Sequence, residues 1–148
     1  VSDILAIKGS RVTTVQATDT IATLSERLHE KGIGAAIVSK DGLSIDGVIS
    51  ERDVAYSVAA HKGNLHALPV SALMTKTVIT CTPTDSVATV ASTMLARNVR
   101  HIPVEQDGRL VGMISIRDVL NLRVTELQRQ ANELRAFASQ TDRDPQDR

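Results

Sequence analysis

Apolar residues in this chain switch between extended and helical spacing, and the switch occurs twice. Val12 to Val15 and Val78 to Cys81 read as short extended stretches, each followed by a Thr-Asp pair of the kind that caps a helix N-terminus. Ile21, Leu24 and Leu28 then fall at helical spacing in the first pass, and Val87, Val90, Met94 and Leu95 in the second. Gly32 is placed to close the first of these helices. Two strands come next in each pass, over Ala35 to Val38 and Asp46 to Ile49, then over His101 to Val104 and Leu110 to Ile114. The pairs Asp41-Gly42 and Asp107-Gly108 lie in the intervening loops, where a residue of positive φ is wanted. A further helix is expected from Ser50 and again from Ser115.

The two passes align residue by residue. A shift of 66 carries Val12, Thr14, Thr18, Asp19, Ala22 and Thr23 onto Val78, Thr80, Thr84, Asp85, Ala88 and Thr89. After a turn one residue shorter the shift is 65, and Gly47, Ile49, Ser50, Arg52, Asp53 and Val54 match Gly112, Ile114, Ser115, Arg117, Asp118 and Val119. The chain is therefore a tandem duplication of a β-α-β-β-α unit, of mixed α/β (α+β) class. A unit of about 55 to 65 residues stands at the lower limit for a core of its own, so the pair is expected to fold together. Along the chain the division is 1–60 for the first repeat, 61–69 for a linker broken by Gly63, Asn64 and Pro69, and 70–120 for the second repeat.

Beyond Asp118 the helical pattern outruns the repeat. Leu120, Val124, Leu127, Ala131, Leu134 and Ala138 make a heptad seam, which predicts a C-terminal helical extension over 121–139 and leaves 140–148 as a polar, disordered tail. Two readings of the seam stand side by side: an amphipathic helix lying on its own domain, or a helix pairing across a homodimer.

Composition narrows the class of function. The chain is 42% hydrophobic with Tyr56 and Phe137 its only aromatics, which suits a core of branched aliphatic side chains and not a base-stacking surface. Seventeen basic residues balance 17 acidic ones, so no long-range field draws in nucleic acid or an anionic membrane, and neither is expected as a partner. No apolar run approaches the roughly 20 residues of a membrane span. A single cysteine, Cys81, suits a reducing compartment, and the cytoplasm is expected. Cys81 reads as a small apolar filler rather than a nucleophile, and His29, His61 and His66 have no companions at metal-ligand spacing. No nucleophile–base pair stands out, so a catalyst is not expected.

Chemistry concentrates in one motif, G-h-h-S-x-R-D, present as Gly47 to Asp53 and as Gly112 to Asp118. Ser-x-x-Asp at a strand-to-helix junction is a capping box with Asp in place of the usual Glu. The same corner suits a nucleotide: unpaired N–H groups and the positive end of the helix face a phosphate, and an Asp carboxylate offers two oxygens to vicinal ribose hydroxyls. Capping and binding are compatible. Arg52 and Arg117 could reach a phosphate or simply solvate a helix surface.

The segments VTTVQATDTI and VITCTPTDSV, the connecting PVSALMT, and VRHIPVEQDGRLVGMISIRDV resemble a tandem pair of CBS (cystathionine-β-synthase-type) domains, of the stand-alone bacterial type, over about Ile4 to Leu120. The resemblance implies two repeats packed with pseudo-two-fold symmetry, with inter-repeat clefts that bind adenine nucleotides and regulate a partner in trans. Homodimers are implied too. By the same resemblance, Ser115, Asp118, Met113, Thr13, Ile33, Gly34 and Ala35 would form one site with Lys8 nearby and Arg117 at its helix. Ser50, Asp53, Val48, Thr77, Ile79, Val99, Arg100 and His101 would form the other, with Arg52. Ile37 departs from the proline kept at Pro103.

Unequal sites are expected. Arg97, Arg100 and His101 in the second repeat would give the Asp53 site cations and a compact, phosphate-rich ligand such as AMP. Gly34 and Ala35 would give the Asp118 site free volume, suited to ATP or NAD(H). His101 also reads as a satisfied histidine at a sheet edge. The expected role is an energy or metabolite sensor; the other reading is a ligand-independent dimerisation module built on the C-terminal helix.

Overall fold

A computed structural model describes residues 1–141, with side chains through residue 139. The first repeat forms a sheet in the order β1-β2-β3: β1 (Thr14–Val15) runs parallel to β2 (Ala35–Val38), which pairs antiparallel with β3 (Gly47–Ser50). Helices α2 (Ile21–Lys31) and α3 (Glu51–His61) accompany it. The second repeat contributes α4 (Val87–Arg97), the hairpin β4 (His101–Gln106) and β5 (Arg109–Ser115), and α5 (Ile116–Thr141). One helix stands where the apolar pattern predicts no element, α1 (Ser2–Lys8).

The repeats differ at their first strand, and proline is the cause. In the first, Ile37 N donates to Thr13 O at 3.1 Å and Ser39 N to Val15 O at 2.9 Å. In the second, Glu105 N donates to Cys81 O at 2.8 Å, but Pro103 occupies the position of Ile37 and has no N–H to give. The stretch expected from Val78 to Cys81 is thereby reduced to a single parallel bridge between Cys81 and Val104.

Helix starts fall one residue later than expected. Thr20 Oγ1 and Ser86 Oγ accept the Thr23 and Thr89 N–H groups at 3.2 and 3.1 Å, so these are the caps. Asp19 and Asp85 close the preceding turn instead, accepting from Gln16 N at 3.0 Å and Thr82 N at 2.8 Å. Gly32 ends α2 in the left-handed region at φ 60°, and Asn98 does so for α4 at φ 52°. Of the apolar positions expected on α4, Val90 and Met94 are buried but Leu95 is exposed.

Each repeat has its own core, yet the cores do not follow chain order. Val1 and Ile4 are buried with Cys81, Val90, Met94 and Val119 of the second repeat. Val70 is buried with Val15, Leu24 and Ile49 of the first, and Leu65, Leu68, Leu73 and Met74 pack around it. Val1 and Val70 are counterparts, their nitrogens donating to the register-related carbonyls of Asp85 and Asp19, both at 2.8 Å. The segment leading into each repeat thus completes the core of the other. His61 ends α3, and the expected linker is packed: Ile21 N donates to Leu68 O at 2.9 Å.

Glycines mark both docking lines. A Cβ at Gly112 would stand 2.5 Å from Leu5 Cδ2 of α1, and one at Gly47 would stand 2.9 Å from Met74 Sδ and 3.0 Å from the Thr75 carbonyl. Beside Gly47, Val48 and Thr75 exchange backbone hydrogen bonds of 3.0 and 2.9 Å, which adds a residue to the edge of β3.

Helix α5 contacts the second core through Val119, with Leu122 partly buried against it. Past that point its seam leaves the domain: Val124, Leu127 and Leu134 are 52%, 64% and 72% exposed. The reading in which the seam lies on its own domain therefore fails for most of its length. The helix takes in residues 140 and 141, expected as tail; 142–148 lie outside the described residues.

Candidate functional site

Both G-h-h-S-x-R-D segments turn a strand into a helix, β3 into α3 and β5 into α5. At the first corner Ser50 N and Ser50 Oγ donate to Asp53 Oδ2 at 2.8 and 2.9 Å, and Asp53 N donates back to Ser50 Oγ at 3.4 Å. At the second, Ser115 N and Oγ donate to Asp118 Oδ2 at 2.7 and 2.9 Å, with Asp118 N returning to Ser115 Oγ at 3.3 Å. The capping reading holds at both. Each box fixes a carboxylate and a hydroxyl at the mouth of a cleft.

The Asp53 corner opens on a cleft of about 220 Å³ and the Asp118 corner on one of about 730 Å³. Val48, Ser50, Arg52, Asp53, Thr77, Ile79, Val99, Arg100 and His101 all line the smaller. Lys8, Thr13, Ile33, Gly34, Ala35, Met113, Ser115, Arg117 and Asp118 all line the larger. The structure brings together every residue expected at each site. Because α1 and the Thr75–Ile79 stretch precede opposite repeats, each cleft is walled by both repeats.

Several lining residues escaped the sequence reading. Arg11 lines the larger cleft and is the register mate of Thr77, so the repeat itself held that signal. Glu51, the variable residue of the first motif, lines both clefts together with Gly34, Arg100 and His101. Its counterpart is the apolar Ile116. These shared residues form the partition between the clefts.

The expected difference in volume is present, but the expected difference in charge is not. Arg100 and His101 face both clefts, and Lys8, Arg11 and Arg117 add cations only to the larger. Arg97 belongs to neither lining; it lies exposed in the last turn of α4. Arg52 turns its guanidinium to the end of that helix, with Nη1 donating to Asn98 O at 3.0 Å; it ties α3 to the second repeat.

Two ionisable groups at the larger cleft are shifted. Burial would raise the Asp118 pKa, but the Lys8 ammonium and the Ser115 N–H and hydroxyl outweigh it and hold the carboxyl below its ordinary value. Lys8 Nζ lies 2.8 Å from Asp118 Oδ2 and also donates to Met113 O at 3.0 Å. Burial, then Lys8, lowers the His101 pKa, against the opposing pull of Glu51 and Asp118. Cys81 lies in the second core rather than in either lining, its thiol pushed up to about 11 by burial and then by the Asp85 charge. Among the described residues no group of His, Cys, Asp and Glu could hold a metal ion, and no helix is long and apolar enough to cross a membrane.

Solved structures share this fold. A CBS-domain containing protein from Agrobacterium tumefaciens superposes with a TM-score of 0.81 at 36% identity, over 83% of this chain and 98% of that one. A CBS domain protein from Pyrobaculum aerophilum, solved complexed with AMP, does so with a TM-score of 0.66 at 31% identity, over 79% and 87%. The mitochondrial CBS domain-containing protein CBSX3 of Arabidopsis thaliana is 30% identical over 123 residues, 80% of this chain; the chain spans only 60% of that relative's length. The family model for the CBS domain matches twice, at residues 1–60 and 70–125, once for each half of the duplication seen in the sequence. The chain belongs to the CBS domain family.

Proposed function

We propose that this chain is a regulatory CBS pair that binds adenine nucleotides in its two clefts and acts in trans on another protein. One observation carries the reading: both capping-box corners, each with Ser and Asp side chains, open onto clefts walled by both repeats. The AMP in the Pyrobaculum relative supports this ligand class. In each cleft the helix N-terminus and Ser hydroxyl would meet phosphate, and Asp53 or Asp118 would accept from ribose hydroxyls. The smaller cleft suits AMP; the larger, with more than three times the volume and more cations, suits ATP or NAD(H). Ligands of different size would favour different relative placements of the repeats, and a partner would read the shift. Regulation rather than catalysis is the role assigned. The cytoplasm is the proposed setting, since Cys81 is a buried free thiol.

Calorimetric titration of AMP and ATP into wild type, Asp53→Ala and Asp118→Ala tests the assignment. Each variant is expected to lose one binding event and keep the other. Identical ligand profiles for the two variants, or no heat with wild type at millimolar nucleotide, would sink it.

A second reading, a dimerisation module that works without ligand, draws on the exposed seam of α5. The two readings coexist if the homodimer is the form that senses nucleotide.

A further inference from the structure

The two corners differ by one ammonium group. At the smaller cleft the carbonyl of Val48 receives the Thr75 backbone N–H at 2.9 Å. The register-related carbonyl of Met113 receives Lys8 Nζ instead, and that same nitrogen binds the Asp118 carboxylate at 2.8 Å. Met74, an uncharged side chain, lies over Gly47 as Leu5 lies over Gly112, so it is the counterpart of Leu5 and not of Lys8. Lys8 thus brings a charge from the segment leading into the first repeat to the carboxylate of the second.

The Lys8–Asp118 pair is placed to be exchanged. Side-chain exposure is 38% for Lys8 and 18% for Asp118, so the ammonium is the wetter partner. Lysine is a point charge on a flexible stem and can change partners without a planar match. Ser115 holds Asp118 Oδ2 by two further bonds, so the carboxylate keeps its place if Lys8 leaves. Arg11 and Arg117 line the same cleft, so an anion entering it meets positive charge on several sides.

We infer that Lys8 makes the larger cleft selective for phosphorylated ligands over the bare nucleoside. Lys8 and Ser115 share Asp118 Oδ2, so a ribose hydroxyl that takes this oxygen competes with Lys8, the partner outside the capping box. A nucleoside offers the displaced ammonium nothing, whereas a nucleotide offers it a phosphate, a stronger charge-assisted partner. This inference rests on the nucleotide-binding reading above and adds a specificity-determining residue to it.

The test uses the full chain carrying Asp53→Ala, so that the larger cleft is read alone. Adenosine and AMP are titrated calorimetrically into this protein and into versions that also carry Lys8→Met or Lys8→Arg. With Lys8 in place, AMP is expected to bind at least about tenfold tighter than adenosine. Lys8→Met, which removes the charge and keeps an unbranched stem, should strengthen adenosine, weaken AMP and bring the ratio near one; Lys8→Arg should restore the preference. If Lys8→Met weakens both ligands equally, or lowers the melting temperature with the ratio unchanged, Lys8 only docks α1 and the inference is wrong. If neither ligand binds the protein that keeps Lys8, while wild type takes up AMP, the inference falls and the smaller cleft keeps its role. If wild type binds neither, both readings fall.

Discussion

One hydroxyl at each corner has two duties. Ser50 Oγ and Ser115 Oγ accept the third N–H of a helix while donating to the carboxylate that faces the cleft, so local folding and site geometry share an atom. His101 stands in the partition and ties the site to pH. Its folded pKa lies below the ordinary 6.5, chiefly through burial. The unfolded chain therefore takes up the proton first as pH falls. Its contribution to stability is whole above pH 6.5 and is lost as pH drops toward the folded value; Asp118 adds a loss of the same sign below 3.8. Unfolding free energy from urea melts should fall as the pH drops below about 6.5, and His101→Gln should flatten that fall. An unchanged slope in the variant would show that His101 is not the group responsible. The Ser and Asp of each corner were legible at this scale because duplication supplies an internal alignment, whereas the rest of each lining followed from the resemblance to CBS domains. Glu51 was not legible, since its motif position carries Ile116 in the other copy. The distribution of Arg100 and His101 to both clefts was hidden as well, because a partition exists only in three dimensions.

Elements show where periodicity is informative and where it is not. Helix α2 carries a helical period and both strand pairs read as apolar runs flanking Asp-Gly loops, enough to be read from one chain, and the left-handed stop at Gly32 follows from residue type. The caps were misplaced by one residue because Thr18, Asp19 and Thr20 are all capping types; the choice turns on Asp19 closing a turn with Gln16. Helix α1 has seven residues, too few for a periodic signal, and the surface it covers lies more than 70 residues away in sequence. Its docking line gives a prediction. Gly112→Ala pushes against the flexible end of Leu5, whereas Gly47→Ala also meets the Thr75 carbonyl, fixed in a backbone bridge. Both should destabilise, by about 1–3 kcal/mol, with Gly47→Ala the worse in thermal melts. Leu5→Ala should relieve the first and do nothing for the second; equal losses and no rescue would contradict this packing.

At the scale of the molecule, α5 decides what surface is offered outward. Its 26 residues extend roughly 39 Å, and most of its seam faces away from its own domain. If the seam pairs two copies, wild type should run as a dimer in light scattering. Leu127→Glu with Leu134→Glu should then give a folded monomer, because neither side chain lies in a core of its own chain. A monomeric wild type at high micromolar concentration, or a double variant that stays dimeric, would remove this role for the helix.

The exchange of leading segments has a consequence in time. Synthesis proceeds from the N-terminus, so by the time Met74 has left the ribosome every residue of the first core is present, Val70 included. Val1 and Ile4 must wait until Val119 has followed before their partners are complete. Val1 and Ile4, made before the rest of both repeats, are thus among the last to be buried, and the contacts they close span most of the repeat pair. Such long closures are slow to form. The first repeat is ready as a template before the second arrives, and the opening helix acts as the clasp that ends assembly.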